Sequence, residues 1–525
     1  MEQLSGLDAM FIHAELHGMP MHISSLSIYD PSTTPSGSLS FKEILDLFEQ
    51  KVQRNIPILR CRLKQVPLNL DQPYWVEDPN FDLVYHIRHI ALPKPGTWQK
   101  LCSLTANLHA QPLNRDRPLW EAYVIDGLDN IDGIPPGSFA IMLKVHHAIM
   151  DGRTGMAIYK QLHTLSQDPH CSLDEHPDQL NQDALFMHEP EMTASHLLGR
   201  AVLNNAHKTG SLFKMMGHSV GLYGQILLAL RNREIKQLHK PKTRFNGPIS
   251  PRRVVDRIRF PMSDIKLIKK FFSDETINDV AMTIISGALR NYLVSKDELP
   301  EDSLVAAVPM DVRAAGDEHL QGNRINITNV ALRTDIADPL ERLQVVHKES
   351  LAGKAYAKTL GKTLVNDVLD NLYAGLTAWG IRTAVGSGLM DKFPPVNNTV
   401  ITNVPGSPVP LFLCGARMID SFGMGPLIPN TGLFHTVSST YDFLTIAFTA
   451  DRQKMPDPDF YVQCMERAFT ELLDAVREQE KVRANREQPV TAVIAGEAIA
   501  NELTTGAVKK KSLRRKASGK GKAPV

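Results

Sequence analysis

The stretch SFAIMLKVHHAIMDGRTG, residues 138–155, carries the clearest structural pattern in the chain. Phe139, Ile141, Leu143 and Val145 alternate with other residues, so their side chains share one face of a buried strand. The segment GRTGMAIYKQLHTLS that follows has helical spacing. The pattern therefore predicts a strand, a turn and a helix, with two adjacent histidines at the end of the strand.

His146 and His147, followed by Asp151 and Gly152, allow three interpretations. Successive side chains of a strand point to opposite faces, which disfavours binding of one metal ion by both rings. The pair could instead be two buried core histidines, although a plain core strand does not need the turn chemistry of Asp-Gly. The third interpretation is a general base, because a neutral imidazole accepts a proton near its ordinary pKa of about 6.5. The pattern favours the base and predicts no metal.

A second motif, GHSVG around Ser219, matches the nucleophile elbow of lipases. An elbow serine requires a sharp turn between a strand and a helix. The sequence on both sides of Ser219 has helical spacing instead, so a serine lipase or esterase is kept only as an alternative. A non-catalytic lipid-binding or lipid-droplet protein is the second alternative.

Composition places the chain among ordinary globular proteins. It has 525 residues, 43% hydrophobic and 22% charged, and a net charge of +1, which favours no specific nucleic-acid partner. Five scattered cysteines without a Cys-x-x-Cys pair argue for a reducing compartment and against a cysteine zinc site. No signal peptide and no transmembrane helix are expected. The expected location is cytoplasmic, peripheral on the cytosolic face of the membrane or on lipid inclusions.

Four regions follow from the distribution of patterns along the chain. We predict an N-terminal subdomain (1–185), a helical, basic-ended linker (186–250), a C-terminal subdomain (251–480) and a polar, basic disordered tail (481–525). The linker includes residues 211–230, which could dock on a membrane or pack internally.

Several local elements are predicted within these regions. MHISSLSIYD alternates like a strand, and SLSFKEILDLFEQKV has helical spacing with Ser40 as its cap. ETINDVAMTIISGALRNYLVS is a helix in which Thr276 and Asp279 form a capping box.

The chain resembles the bacterial wax ester synthase/acyl-CoA:diacylglycerol acyltransferase family. The resemblance rests on the His-His-x-x-x-Asp-Gly motif and, in order, on LSGLDAMFIHAE, RDRPLWEAYVIDGL, FNGPISPRR, TINDVAMTIISGALR, VPMDVRAAGDEHLQGNRI and TNVPGSPVPLFLCGARM. It implies an α+β fold of two pseudo-equivalent chloramphenicol-acetyltransferase-like subdomains. Their mixed sheets would be flanked by helices and joined by the helical linker, with the active site at the interface.

The resemblance also implies residue roles. His147 would be the general base and His146 a supporting residue, Asp151 would be structural, and Gly152 would belong to the motif. Asn278 would contact the oxyanion or the substrate. The remaining residues are implied in substrate binding: Pro118, Leu119, Trp120, Asp279 and Arg313, the last also a partner for Asp151.

The implied activity is acyl-CoA-dependent O-acyl transfer. A long-chain acyl group would pass to diacylglycerol or to a long-chain fatty alcohol, giving triacylglycerol or wax ester by direct attack. Acyl-CoA is then a substrate and no cofactor is expected. The implied partners are acyl-CoA, the lipid acceptor and the surface of a membrane or lipid droplet.

Overall fold

A computed structural model of the chain describes residues 2–16, 18–149, 152–168, 193–208, 240–271, 275–311, 325–359 and 374–483. Asp151, Ser219, Arg313 and the segment 211–230 lie outside these residues, as does most of the predicted tail.

The described strands are, in chain order, β1 (Glu2–Gln3), β2 (His22–Asp30), β3 (Cys61–Lys64), β4 (Tyr74–Glu77), β5 (Ile87–Ala91), β6 (Trp120–Asp126), β7 (Phe139–His146), β8 (Arg253–Pro261), β9 (Val305–Asp311), β10 (Ile325–Ala331), β11 (Thr399–Val404), β12 (Phe412–Leu413), β13 (Ala416–Met424), β14 (Leu433–Ser439) and β15 (Phe443–Asp451).

The described α-helices are α1 (Gly6–Ala14), α2 (Phe41–Arg54), α3 (Leu83–His86), α4 (Trp98–Ala110), α5 (Gly152–Leu162), α6 (194–208), α7 (Met262–Phe271), α8 (Ile277–Ser295), α9 (Pro339–Thr359), α10 (Ala374–Gly386) and α11 (458–483). Short 3₁₀ turns occur at Pro31–Thr33, Pro57–Arg60, Pro67–Asn69 and Leu389–Lys392.

Two six-stranded mixed sheets form the body of the protein. The first has the order β12-β13-β2-β7-β6-β5, and the second has the order β10-β9-β11-β14-β15-β8. In the first sheet β5 is parallel to β6, while β7 is antiparallel to both β2 and β6. In the second sheet β11 is parallel to β9 and β14, while β14 is antiparallel to β15. A small third sheet has the order β1-β4-β3. The predicted α+β class, with mixed sheets flanked by helices, is confirmed.

The two large sheets do not correspond completely to the N-terminal and C-terminal regions of the chain. Strands β12 and β13 come from the region 251–480, yet β13 pairs antiparallel with β2 in the first sheet, where Phe422 lies opposite Leu26. β13 also contacts the second sheet, because the Thr436 hydroxyl donates to the Gly423 carbonyl at 2.7 Å. The second half of the chain therefore completes the sheet that carries the histidine pair.

Strand β7 is buried on both of its faces. Phe139, Ile141, Leu143 and Val145 belong to one apolar core together with Trp120. Their neighbours Ala140 and Met142 belong to a second core on the other face of the sheet. This burial fixes the register of β7 and hence the position of the histidines at its end.

The predicted helix caps are present. Ser40 and Glu43 form a capping box at the start of α2. Thr276 and Asp279 form another at the start of α8, which is almost wholly buried. Among the described helices, none combines the length and the apolar character needed to cross a bilayer.

Candidate active site

The histidine pair lies where β7 leaves the first sheet. The backbone amide of His146 donates to the carbonyl of Leu119 at 3.0 Å, and the amide of His147 donates to the carbonyl of Met21 at 2.9 Å. A turn begins at His146, because the amide of Ile149 donates to its carbonyl at 3.0 Å. The carbonyls of the residues just before β6 and β2 therefore hold the main chain of the pair on both sides.

The ring of His146 is enclosed, with 1% of the residue exposed. Its Nδ1 accepts a hydrogen bond from the amide of Ala148 at 3.1 Å. In the neutral ring the proton therefore sits on Nε2. Nε2 lies 3.2 Å from Oε2 of Glu15, at the C-terminal end of α1. His146 thus contacts a carboxylate that the sequence pattern did not single out.

Among the residues that the structure describes, the Glu15 carboxylate has three neighbours. Besides His146, Oε2 accepts the amide of Met21 at 3.0 Å, and Oε1 lies 3.3 Å from both Nε and Nη2 of Arg115. Burial alone would raise the pKa of Glu15, but the contacts with His146, Met21 and Arg115 outweigh it and lower this pKa to about 2. The carboxylate is therefore ionised at neutral pH.

His147 as a residue is half-buried; its ring stacks on Phe11, and the Nδ1 atom of the ring is buried. The ring centroids are 4.2 Å apart and the ring planes are inclined by 13°. Phe11 lies on α1 one turn before Glu15, so one end of this helix contacts both imidazoles. Of the two rings, that of His147 is the more accessible.

A second pair of histidines extends the polar interior from β2. His22 lies opposite His146 across the β2–β7 pairing, and its Nε2 lies 2.6 Å from the carbonyl of His109. His109 contacts the Ser24 hydroxyl at 2.8 Å and, through Nε2, the carbonyl of Gly425 at 3.1 Å. Burial is the largest cause that lowers the pKa of His109, to about 3, so this ring is neutral at physiological pH.

The loop between α1 and β2 is tied to the second half of the chain. Nη2 of Arg253 donates to the carbonyl of Gly18 at 2.8 Å. Gly18 has a φ of +82°, and a side chain there would meet Cβ of Pro251 at 3.3 Å. The positive φ therefore favours glycine at this position, and the space for a side chain is tight. The same loop carries the Met21 amide and carbonyl that bind Glu15 and His147.

Pro118, Leu119 and Trp120 are all buried. Trp120 donates from Nε1 to the carbonyl of Leu59 at 2.7 Å and stacks on His86, with 4.7 Å between ring centroids. Leu119 supplies the carbonyl that holds His146. These contacts support the end of β7, and the predicted role of the three residues in substrate binding stays a prediction.

Asn278 and Asp279 lie at the start of α8. The side-chain oxygen Oδ1 of Asn278 accepts a hydrogen bond from Nδ2 of Asn403, near the end of β11, at 3.4 Å. Asp279 is fully buried, and its Oδ2 accepts Thr276 N and Oγ1, both at 2.8 Å, and contacts Nδ1 of His347 at 2.9 Å. The Asp279 carboxylate is therefore engaged in capping α8, while the predicted roles of both residues toward substrate stay predictions.

Sequence reasoning missed Glu15, Arg115 and Phe11. Glu15 ends the helix segment DAMFIHAE and follows Phe11 by four residues, which places both on one helix face. This four-residue spacing is the sequence feature that points to Glu15 and Phe11 as neighbours on the helix. The contact with His146 joins residues far apart in the chain, and local patterns do not encode it.

Comparisons with known proteins agree on the type of enzyme. The model of the wax ester synthase/diacylglycerol acyltransferase catalytic domain matches residues 4–281, and the model of the family's C-terminal domain matches residues 321–473. A Mycobacterium tuberculosis relative, named provisionally as a diacylglycerol O-acyltransferase, is 32% identical over 483 residues, which are 91% of each chain.

Solved structures share the fold. The wax ester synthase/diacylglycerol acyltransferase from Marinobacter aquaeolei VT8 superimposes with a TM-score of 0.63 at 23% identity, over 91% of this chain and 100% of that one. The first condensation domain of the calcium-dependent antibiotic synthetase gives a TM-score of 0.51 at 13% identity, over 90% and 96% of the two chains.

Together, the fold and the two matched domains define an acyltransferase. The chain belongs to the wax ester synthase/diacylglycerol acyltransferase family, as the resemblance in the sequence predicted.

Proposed function

We propose that the protein transfers a long-chain acyl group from acyl-CoA to the hydroxyl of diacylglycerol or of a long-chain fatty alcohol, with His147 as general base. The assignment of His147 as the base rests on the difference in exposure between the two histidines. His146 is enclosed against Glu15, while His147 is half-buried with one face on Phe11. A base must reach the proton that it removes, so the more accessible ring is the better candidate.

The proposed reaction is a direct transfer without an acyl-enzyme. His147 removes the hydroxyl proton while the alcohol oxygen attacks the thioester carbon, which gives a tetrahedral oxyanion. This intermediate collapses as the carbon–sulfur bond breaks, and the imidazolium of His147 returns the proton to the CoA sulfur. The products are an ester and free CoA, and no cofactor is required.

Other predicted residues have roles in this proposal. Asn278 is proposed to donate to the oxyanion, an interaction for which single donors contribute about 3–4 kcal/mol in other enzymes. Asp151 is proposed to hold the loop after β7 through Arg313, and His146 is proposed to support the position of His147.

The test uses the purified full chain with labelled palmitoyl-CoA, offered hexadecanol and diacylglycerol separately. His147→Ala should lower ester formation by about 100-fold or more, since general-base catalysis typically contributes about 10²- to 10⁴-fold. Ser219→Ala should retain activity. Fluorophosphonate labelling of Ser219 with loss of activity in Ser219→Ala would favour the lipase alternative. Equal ester formation by wild type and His147→Ala would remove the proposed base.

We further propose that the protein docks on the surface of a membrane or lipid inclusion through α10. This helix has an unusual distribution of side chains. Its buried face carries Ala374 and Ala378, while Leu376 and Trp379 are 64% and 67% exposed. Large apolar side chains on the outer face of a helix favour contact with an apolar phase, and tryptophan suits the bilayer interface.

The residues within and just after α10 add another exposed apolar side chain and exposed basic side chains. Phe393, after the helix, is 60% exposed, and Arg382 and Lys392 are exposed in the same segment. Basic side chains beside apolar ones suit the anionic surface of a lipid layer. The segment 211–230, the candidate docking segment predicted from the sequence, lies outside the described residues.

Flotation with vesicles of phosphatidylcholine and phosphatidylglycerol tests this surface. Leu376→Ser combined with Trp379→Ser should lower the bound fraction several-fold, whereas Leu351→Ser, which changes an exposed leucine on α9, should not. Unchanged vesicle binding by the double variant would exclude α10 as the docking surface. Loss of a dimer in light scattering, with vesicle binding retained, would assign the surface to a second copy.

A further inference from the structure

We infer that Glu15 is a positioning residue for the histidine pair and acts through His146 and the backbone of His147. The inference rests on the proposed function, because it assigns the pair to the reacting centre. Its basis is geometric. The carboxylate lies within 3.2 Å of the His146 ring, and its side chain is 6% exposed, at the end of the helix that also carries Phe11.

The contacts of Glu15 connect its carboxylate to both histidines of the pair. Oε2 accepts the amide of Met21 at 3.0 Å, and the carbonyl of Met21 accepts the amide of His147 at 2.9 Å. The same Oε2 lies 3.2 Å from Nε2 of His146. Since the two histidines are adjacent, one carboxylate fixes the side chain of the first and, through Met21, the peptide group of the second.

The orientation of the His146 ring is determined from two sides. The Ala148 amide donates to Nδ1 at 3.1 Å, which leaves the proton of the neutral ring on Nε2 beside the carboxylate. A carboxylate beside the second nitrogen of an imidazole is a common means of fixing its tautomer and orientation. Glu15 therefore fixes the tautomer and the rotamer of His146 together.

Arg115 holds the carboxylate in place. Its Nε and Nη2 lie 3.3 Å from Oε1 of Glu15, and Nη2 also donates to the carbonyls of Ile12 at 2.9 Å and Glu15 at 3.3 Å. These carbonyls belong to the C-terminal end of α1, where a cation is favoured. Arg115 therefore fixes the helix end and the carboxylate as one unit.

The chemistry of the site requires a carboxylate here. Its neighbours in the described part of the chain are all donors: the Met21 amide, the Arg115 guanidinium and, in the tautomer described, Nε2 of His146. A glutamine would present its own NH₂ to one of these donors and leave that contact unsatisfied. An aspartate keeps the charge but is shorter by one methylene.

Steady-state kinetics of Glu15→Gln in the full chain test the inference. We expect kcat to fall by about 10- to 100-fold, the loss that a small misplacement of a reacting group produces, with KM for palmitoyl-CoA within about twofold. Arg115→Lys keeps a cation but loses the guanidinium fork, so it should lower kcat less. Asp256→Asn is the matched control, since Asp256 is a buried carboxylate on β8 whose Oδ1 accepts Nε1 of Trp98 and the amide of Arg257, both at 2.7 Å, and it should leave kcat unchanged.

A double-variant cycle separates positioning from loss of stability. If Glu15 acts through the pair, Glu15→Gln added to His146→Gln should lower kcat far less than the product of the two single effects. Nitrogen NMR of His146 should show the Nε2–H tautomer in the wild type and a mixture in Glu15→Gln. If Glu15→Gln does not fold, Arg115→Lys supplies the same comparison.

Three results would overturn the inference: wild-type kcat in a folded Glu15→Gln, fully multiplicative effects in the cycle, or an unchanged tautomer. These results are distinct from failure of the proposed function, which would appear as full ester formation by His147→Ala or as no ester formation by the wild type.

Discussion

The ring of Phe11 lies nearly parallel to the imidazole of His147, with ring centroids 4.2 Å apart. The aromatic face covers one side of the proposed base, and the Nδ1 atom of the imidazole is itself buried. The stacking limits the rotation of the imidazole, so Phe11 contributes to the geometry in which the proton is removed.

Phe11→Leu should therefore lower kcat by about 10-fold, because the imidazole gains freedom when the flat ring is lost. Phe41→Leu is the matched control, since it removes a comparable stack, that of Phe41 at the start of α2 on His89 of β5, with 4.9 Å between centroids. Kinetics with palmitoyl-CoA and hexadecanol measure both. Equal kcat values for Phe11→Leu and the wild type would show that the stacking does not position the base.

Trp120→Phe should destabilise the protein by about 1–3 kcal/mol, because the carbonyl of Leu59 loses its donor in a buried site. Trp120→Ala should cost about 3–5 kcal/mol, since it also leaves a cavity beside His86. Urea unfolding followed by circular dichroism measures the loss. The exposed Trp379→Phe should change stability by less than about 0.5 kcal/mol. A Trp120→Phe variant with native stability and a raised KM would instead support a role in lining the substrate site.

Asp279→Ala should lower the free energy of unfolding by about 2–4 kcal/mol. The change removes the α8 capping box and leaves the buried His347 without its carboxylate contact. Asp279→Asn keeps an acceptor and should cost less. The outcome also decides the role predicted from the family resemblance, because a raised KM at unchanged stability would assign Asp279 to substrate binding.

Stability should fall as the pH drops below about 6.5, the ordinary pKa of histidine. Burial is the largest cause that lowers the pKa of His109 and His435 to about 3 and of His163 to about 4. Below pH 6.5 the unfolded chain binds protons that these folded rings do not, so unfolding becomes more favourable until the folded pKa is reached. Above pH 6.5 both states are neutral and the effect vanishes.

Urea unfolding at pH 7.5 and pH 5.5 measures this dependence. Each such ring contributes up to about 1.4 kcal/mol per pH unit below 6.5, so His163→Gln should reduce the difference between the two pH values by about 1 kcal/mol. Glu15, whose pKa is lowered to about 2, adds stability above pH 4.5 that is lost only as the pH falls from there toward 2. It therefore does not contribute in this window. An unchanged difference in His163→Gln would show that the ring is protonated in the folded state.

Local patterns predicted much of the fold. The alternation in β7, the Ser40 cap of α2 and the Thr276–Asp279 box of α8 are all present, because each depends on residues close in sequence. The entry of β13 into the first sheet was not predicted, since a short alternating strand does not encode its partner.

The candidate site likewise contains residues that local patterns predict and residues that they do not. His146 and His147 could be found from their motif and placed at a strand end. Glu15 and Phe11 could not, because their contacts with the pair depend on how α1 packs against β7. For Asp279, the local sequence pattern correctly predicts the capping box. Its contact with His347 depends on the three-dimensional structure and could not be predicted.

The insertion of β13 beside β2 has a consequence for synthesis of the protein. A nascent chain that has left the ribosome only as far as residue 400 has made β2 and β7 but not the strand that covers the other edge of β2. That edge presents unpaired amide and carbonyl groups until translation passes Met424, and such edges recruit other strands. Truncated N-terminal fragments should therefore aggregate, and co-expression with the missing C-terminal fragment should rescue them.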